Sequence, residues 1–178
     1  MDRQMRNDVS EHIKMAQDKL LELSQFYNNF DANRRKLNME LHKSDISNSA
    51  FVNKQFNLIL VQMMNIESDM HECENKIAAN LSIAISMLSS EIKDNLSIMQ
   101  VFQIRSHLSR ISQIISHPML QYMPKDGLAI AIAQGEQLIK DNPNRKFISL
   151  RALFKRMREY ISGIKSSSSR IELDQGTF

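Results

Sequence analysis

Glycine and proline are nearly missing from this chain. Its 178 residues include four Gly and three Pro, and none of them falls before residue 118. Average usage would make these two types about 12% of the residues. Sheet proteins turn roughly every 8–12 residues and draw on Gly and Pro to do so. An all-β or doubly wound α/β fold is therefore excluded. Tryptophan is absent, and Cys73 is the single cysteine, so no intramolecular disulfide framework is available and a reducing compartment is favoured. The segment MDRQMRNDVSEHIK contains no apolar stretch of the kind a secretory signal needs. The longest runs free of Asp, Glu, Lys and Arg, Ile77–Ser90 among them, are rich in Ser and Asn and fall short of the roughly 20 apolar residues that span a bilayer. These features lead us to expect a cytoplasmic protein, or one exported without a cleavable signal.

Chemistry is equally sparse. There is no G-x-S-x-G nucleophile elbow. The glycines, Gly127, Gly135, Gly163 and Gly176, stand too far apart for a phosphate-cradling loop. A chain with so few loop-forming residues has few places to mount an active site. We expect no catalytic residues, no cofactor and no enzymatic activity.

What is present is helical patterning. Val9, Ile13, Ala16, Leu20, Leu23, Tyr27, Phe30, Leu37 and Leu41 follow each other at spacings of four and three, with Arg34 in the one apolar gap. A 3.5-residue period keeps apolar groups on one face when a helix winds around a partner. The spacing predicts a helix from about Met5 to His42. The cluster Lys43–Ser49, rich in Ser, Asp and Asn, predicts a turn, because such side chains compete with helical hydrogen bonds. Beyond it the stripe resumes through Val52, Phe56, Ile59, Met63, Ile66, Met70, Cys73, Ile77, Asn80, Ala84 and Met87. Two such helices joined by a short turn predict an antiparallel hairpin. Leu81, Ile85, Leu88, Ile92, Leu96 and Met99 add a second apolar face, and a helix apolar on two faces contacts more than one neighbour. The C-terminal helices or another subunit are the alternatives for that contact.

Shorter helices follow. Apolar periodicity runs through Ile98, Phe102, Leu108, Ile111 and Ile115 until His117-Pro118, with a break expected near Asp94-Asn95. Residues 128–140 predict a short Ala/Ile-rich helix between Pro124-Lys-Asp-Gly127 and Asp141-Asn-Pro-Asn144. The last helix, about Lys146 to Lys165, turns Phe147, Leu150, Phe154, Met157, Ile161 and Ile164 inward. The expected fold is all-α: an elongated, coiled-coil-like hairpin over 1–94, a small bundle of shorter helices over 95–165, and a Ser-rich, disordered tail over 166–178.

Charge singles out one segment. The chain carries 23 Lys and Arg against 20 Asp and Glu, a net of +3. Nine of the basic residues and only two of the acidic ones fall within residues 140–170. Arg151, Lys155, Arg158 and Lys165 share a stripe on the last helix, with Arg145, Lys146 and Arg156 nearby. A basic stripe of this kind can engage an anionic partner such as nucleic-acid phosphates, or it can be a solvated face. Glu67, His71 and Glu74 share a helical face that could hold a divalent ion, but a di-metal bundle needs Glu-x-x-His on two helices, and neither copy is present. No metal site is assigned. Asn80 and Arg34, polar within apolar stripes, are expected to fix register or oligomeric state, and the twelve Met to fill uneven packing.

The functional expectation is a structural or interaction protein: an oligomeric scaffold, adaptor or assembly factor with protein partners and self-association as a homodimer or larger. The alternative is a nucleic-acid-binding protein that dimerises through its coil. A membrane partner is not expected.

Overall fold

A computed structural model describes residues 1–42, 49–165 and 169–171. Among them are five α-helices and no strand: α1 (Arg3–His42), α2 (Ser49–Ser90), α3 (Ile98–Ile115), α4 (Asp126–Asp141) and α5 (Ile148–Ser162). Short 3₁₀ turns at Pro118–Leu120 and Arg145–Phe147 lead into the last two connections. The fold is the all-α hairpin with a small helical bundle that the patterning implies. The expected turn at 43–49 lies almost wholly outside the described residues.

α1 and α2 are 40 and 42 residues long, about 60 Å each at 1.5 Å per residue. They run antiparallel. The Met1 amino group sits 3.3 Å from Glu91, and His12 Nδ1 lies 2.8 Å from Asn80 Oδ1. Their seam follows the expected stripe as far as Leu37: Val9, Ile13, Ala16, Leu23, Phe30 and Leu37 of α1 are buried, whereas Leu41 is exposed. Ile59, Met63, Met70, Cys73, Ile77 and Ala84 of α2 are buried with them. Asn80 also donates from Nδ2 to the Lys76 carbonyl at 2.8 Å. Its polar groups are thus used inside the hairpin, where the His12 contact marks the register of the two helices.

The second face of α2 is covered by the chain itself. Leu81, Ile85, Leu88 and Ile92 are all buried, and α4 lies along this part of α2, with α5 against α4. The core therefore runs without interruption across the boundary expected at residue 94. Gly135 explains how closely these helices meet. A Cβ placed there would collide with the Phe154 ring of α5 and come within 2.8 Å of Ser89 Oγ on α2. A glycine inside a helix costs about 1 kcal/mol relative to alanine, and here that cost accompanies a three-helix contact.

The α2–α3 link spans 91–97. Ser97 caps α3: its Oγ accepts from the Gln100 amide at 3.2 Å, while Gln100 Oε1 accepts from the Ser97 amide at 2.9 Å. This reciprocal pair satisfies two amides that a helix start otherwise leaves open. α3 buries Leu108, Ile111 and Ile115 as expected and departs from expectation in its first turns. Val101, Ile104, Leu108, Ile111 and Ile115 turn inward, while Ile98, Met99 and Phe102 are 82%, 67% and 60% exposed. The first turns of α3 are apolar on two sides, and α1, α2 and α5 cover just one of them. On α5 the expected inward set, Leu150, Phe154, Met157 and Ile161, is buried together with the flanking Phe147 and Ile164.

The expected disordered tail departs at three residues. Positions 166–168 and 172–178 lie outside the described residues, but Ser169–Ile171 are placed against the hairpin, and Arg170 is just 4% exposed.

Candidate functional sites: a basic groove and a buried arginine notch

The basic residues of the C-terminal segment divide by what they touch. Arg145, Arg151, Lys155, Arg156, Arg158 and Lys165 are exposed. Lys146 is not part of that surface. Its ammonium donates to the carbonyls of Asp94 and Leu96, the latter at 2.8 Å, and lies over the Phe147 ring. It ties the 3₁₀ turn before α5 to the link before α3, a structural role that a charge count does not distinguish.

Arg151 and Arg158 reach across to α4. With Lys140, Glu136, Gln137, Ala133 and Pro143 they line an open groove of about 730 Å³ between α4 and α5. Glu136 lies 3.5 Å from Arg158 Nε and offsets part of the charge. Three cations and one carboxylate leave a net positive groove suited to a carboxylate or phosphate group. Lys155, Arg156 and Lys165 stand outside it, so the linear stripe is divided by the fold. Lys140 opens the basic segment but sits on α4, apart from the periodic stripe of the last helix.

The second site is the Glu67–His71–Glu74 face of α2. Among the described residues no three His, Cys, Asp or Glu side chains are arranged to hold a metal ion. The two carboxylates instead take Arg170. Glu74, fully buried, accepts from Arg170 Nη2 through Oε1 at 2.6 Å. Glu67 accepts from the Arg170 amide, and its other oxygen accepts from the Ser169 hydroxyl at 3.2 Å. Arg170 Nε faces the Tyr27 hydroxyl at 3.3 Å. The guanidinium carbon is 4.5 Å from the centre of the Tyr122 ring and 5.3 Å from that of Tyr27. His71 stands beside the pair, with Nδ1 3.5 Å from Glu74 and Nε2 3.9 Å from Glu67.

The electrostatics follow from burial. Loss of water pushes the Glu74 carboxyl above the ordinary carboxylate range, against the opposing pull of Arg170. Burial likewise raises the Tyr27 phenol, while Arg170 works against that rise. Cys73 is buried on the seam and its thiol is raised, chiefly by burial, which is the setting of an inert structural thiol and not of a nucleophile. Sequence patterning missed the notch because its key residue stands alone in a Ser-rich stretch. The one available signal was a pair of Glu residues on the inward-facing side of a coil helix.

Together these features define a helical hairpin and bundle with two polar surfaces of opposite character, one basic and open, one acidic and filled. Comparison with protein families, with curated proteins and with solved structures returns no match to this chain. Among the described residues no helix is long and apolar enough to cross a membrane.

Proposed function

We infer that this chain is a non-enzymatic structural and interaction protein that self-associates through the hairpin and engages a protein partner through the α4–α5 groove. The observation that carries the reading is the outer face of α2. Between Lys54 and Glu67 that helix has no charged residue, and Leu58, Val61 and Met64 are 49%, 55% and 60% exposed on the side away from α1. Singly exposed apolar residues are ordinary; a continuous uncharged face is a feature of interaction surfaces. A second copy is a fitting occupant, since a two-fold interface sets a surface against itself and an uncharged surface meets no like-charge repulsion there. The outer face of α1 at Lys14, Asp18, Arg35 and Lys36 is charged and exposed and lacks this property. Sedimentation velocity tests the reading: the chain sediments as a dimer, and Val61→Glu returns it to a monomer. A wild-type monomer at concentrations of tens of micromolar refutes self-association through this face.

The groove supports the second part. Lys140, Arg151 and Arg158 converge there, with Glu136 leaving room for an anionic side chain. The alternative partner is nucleic acid, for which the exposed Arg145, Lys155, Arg156 and Lys165 extend the charge along α5 and beyond. The two are separated by salt: affinity for DNA or RNA falls steeply with ionic strength when several phosphates are contacted. A cytoplasmic location belongs to the same reading, since the lone Cys73 is an unpaired buried thiol.

A further inference from the structure

We propose that the notch formed by Tyr27, Glu67, Glu74 and Tyr122 is an arginine-recognition site, occupied in cis by Arg170 as an internal stand-in for an arginine-bearing peptide segment. The inference is independent of the self-association reading and concerns a different part of the molecule.

The notch reads each property that distinguishes a guanidinium. Its flat face lies against the Tyr122 ring and nears the Tyr27 ring, the contact a delocalised planar cation makes best. One edge donates to the buried Glu74 carboxylate, and Nε faces the Tyr27 hydroxyl. Glu67 meets the main-chain amide of the same residue and the hydroxyl of the residue before it. It thereby recognises a peptide backbone and not merely a cation. A lysine ammonium offers neither the planar face nor the forked donors.

Two observations indicate that the site is larger than its present occupant. Among the described residues, buried Glu74 Oε2 and Arg170 Nη1 each lack a hydrogen-bond partner, so the fork-to-carboxylate pairing that arginine favours is half made there. Beside Arg170 a cavity of about 190 Å³ continues past Gln121 and Tyr122 to Phe30, Asp31 and Arg34. A seated peptide could extend into that space. The three parts of the notch come from α1, α2 and the connection between α3 and α4, so a ligand there also bridges the hairpin to the bundle.

The test uses the full chain carrying Arg170→Ala, which empties the notch, and a fluorescein-labelled peptide of the sequence Ser166–Leu173. Fluorescence anisotropy is expected to show saturable binding to the variant and at least tenfold weaker binding to the wild type, whose own Arg170 competes. The same peptide with lysine in place of its arginine should lose at least tenfold, and Glu74→Gln in the variant background should abolish binding. A variant that keeps its helical circular dichroism and binds no peptide, or binds the arginine and lysine peptides equally, overturns the proposal. If Arg170→Ala loses its helical signal, the wild type carries the test with excess peptide. Weak binding that prefers arginine to lysine supports the site, and no binding or no preference overturns it.

Discussion

Between Ile77 and Ser90, α2 buries Leu81, Ile85 and Leu88 on a face additional to its seam with α1; between Lys54 and Ile66 it buries Ile59 and Met63 alone and leaves Leu58, Val61 and Met64 in solvent. Residues 77–90 and 55–66 are both uncharged and rich in apolar residues. They differ in supply: α4 lies along the first, while α1 is the packed neighbour of the second. An apolar face does not reveal who covers it. Along one helix, the same composition makes an intramolecular core at one end and an available surface at the other.

The sharpest way to disturb this contrast is at its midpoint, where Arg170 is held on Glu74. Removing one partner of a buried ion pair typically costs about 3–5 kcal/mol, because the other is left uncompensated. Arg170→Ala is expected to lower stability in urea by about 4–5 kcal/mol, the upper part of that range. Pairing it with Glu74→Leu should restore most of that loss, and a double variant as weak as the single one contradicts the account.

Next in size is a pair of truncations. Leu88, with no exposed surface on the doubly packed half, should lose about 3–4 kcal/mol on replacement by alanine. Met63→Ala in the singly packed half should lose about 2 kcal/mol, since its site can relax toward open surface. Amide hydrogen exchange should rank the halves in the same order, with 55–66 opening before 77–88. Equal costs and equal protection would erase the distinction between the two halves.

Smaller still is Gly135→Ala. Helix propensity favours alanine by about 1 kcal/mol, yet the added methyl meets the Phe154 ring. Overpacking costs about 1–3 kcal/mol, so the net change should be destabilising, and a rise in thermal midpoint would show the helices free to separate. Replacing Phe154 by leucine in the same background should recover part of the loss.

The smallest effect is in pH. Burial holds the His107 imidazole below its ordinary range, with Arg110 and Arg6 adding to the shift. The unfolded chain therefore binds more protons than the folded one between the two pKa values. His107 contributes stability that is fully present above the unfolded value of about 6.5 and is lost as pH falls through that value toward the folded one. Urea midpoints should decline on acidification across that window, and His107→Gln should flatten the decline.

Much of this fold was legible in the sequence. The 4-and-3 spacing of Val9 to Leu41 and of Phe56 to Met87 fixed the hairpin because a long seam repeats its own evidence at every turn. The second apolar face at Leu81–Leu96 announced another neighbour without choosing between a helix of this chain and a second copy. At the start of α3 periodicity does not choose a face: Ile98 and Phe102 fit the helical period as well as Val101 and Ile104 do, and the position of the covering helices decides between them. The basic stripe was legible as charge but not as a site. Lys146 turns inward to two carbonyls, and the groove takes Lys140 from a separate helix. Arg170 was hidden by its neighbours, since one arginine after four serines has no periodicity to betray a long-range partner.

The aromatic walls of the notch also make the molecule its own optical probe. The chain has no tryptophan and three tyrosines, Tyr27, Tyr122 and Tyr160. Two of these three flank Arg170, while the third is exposed on α5. Two of the three tyrosine signals of the unmodified protein therefore come from rings in contact with that one side chain. Departure of Arg170 from the notch can be followed without a label as a change in the tyrosine signal, with Tyr160→Phe removing the contribution of α5.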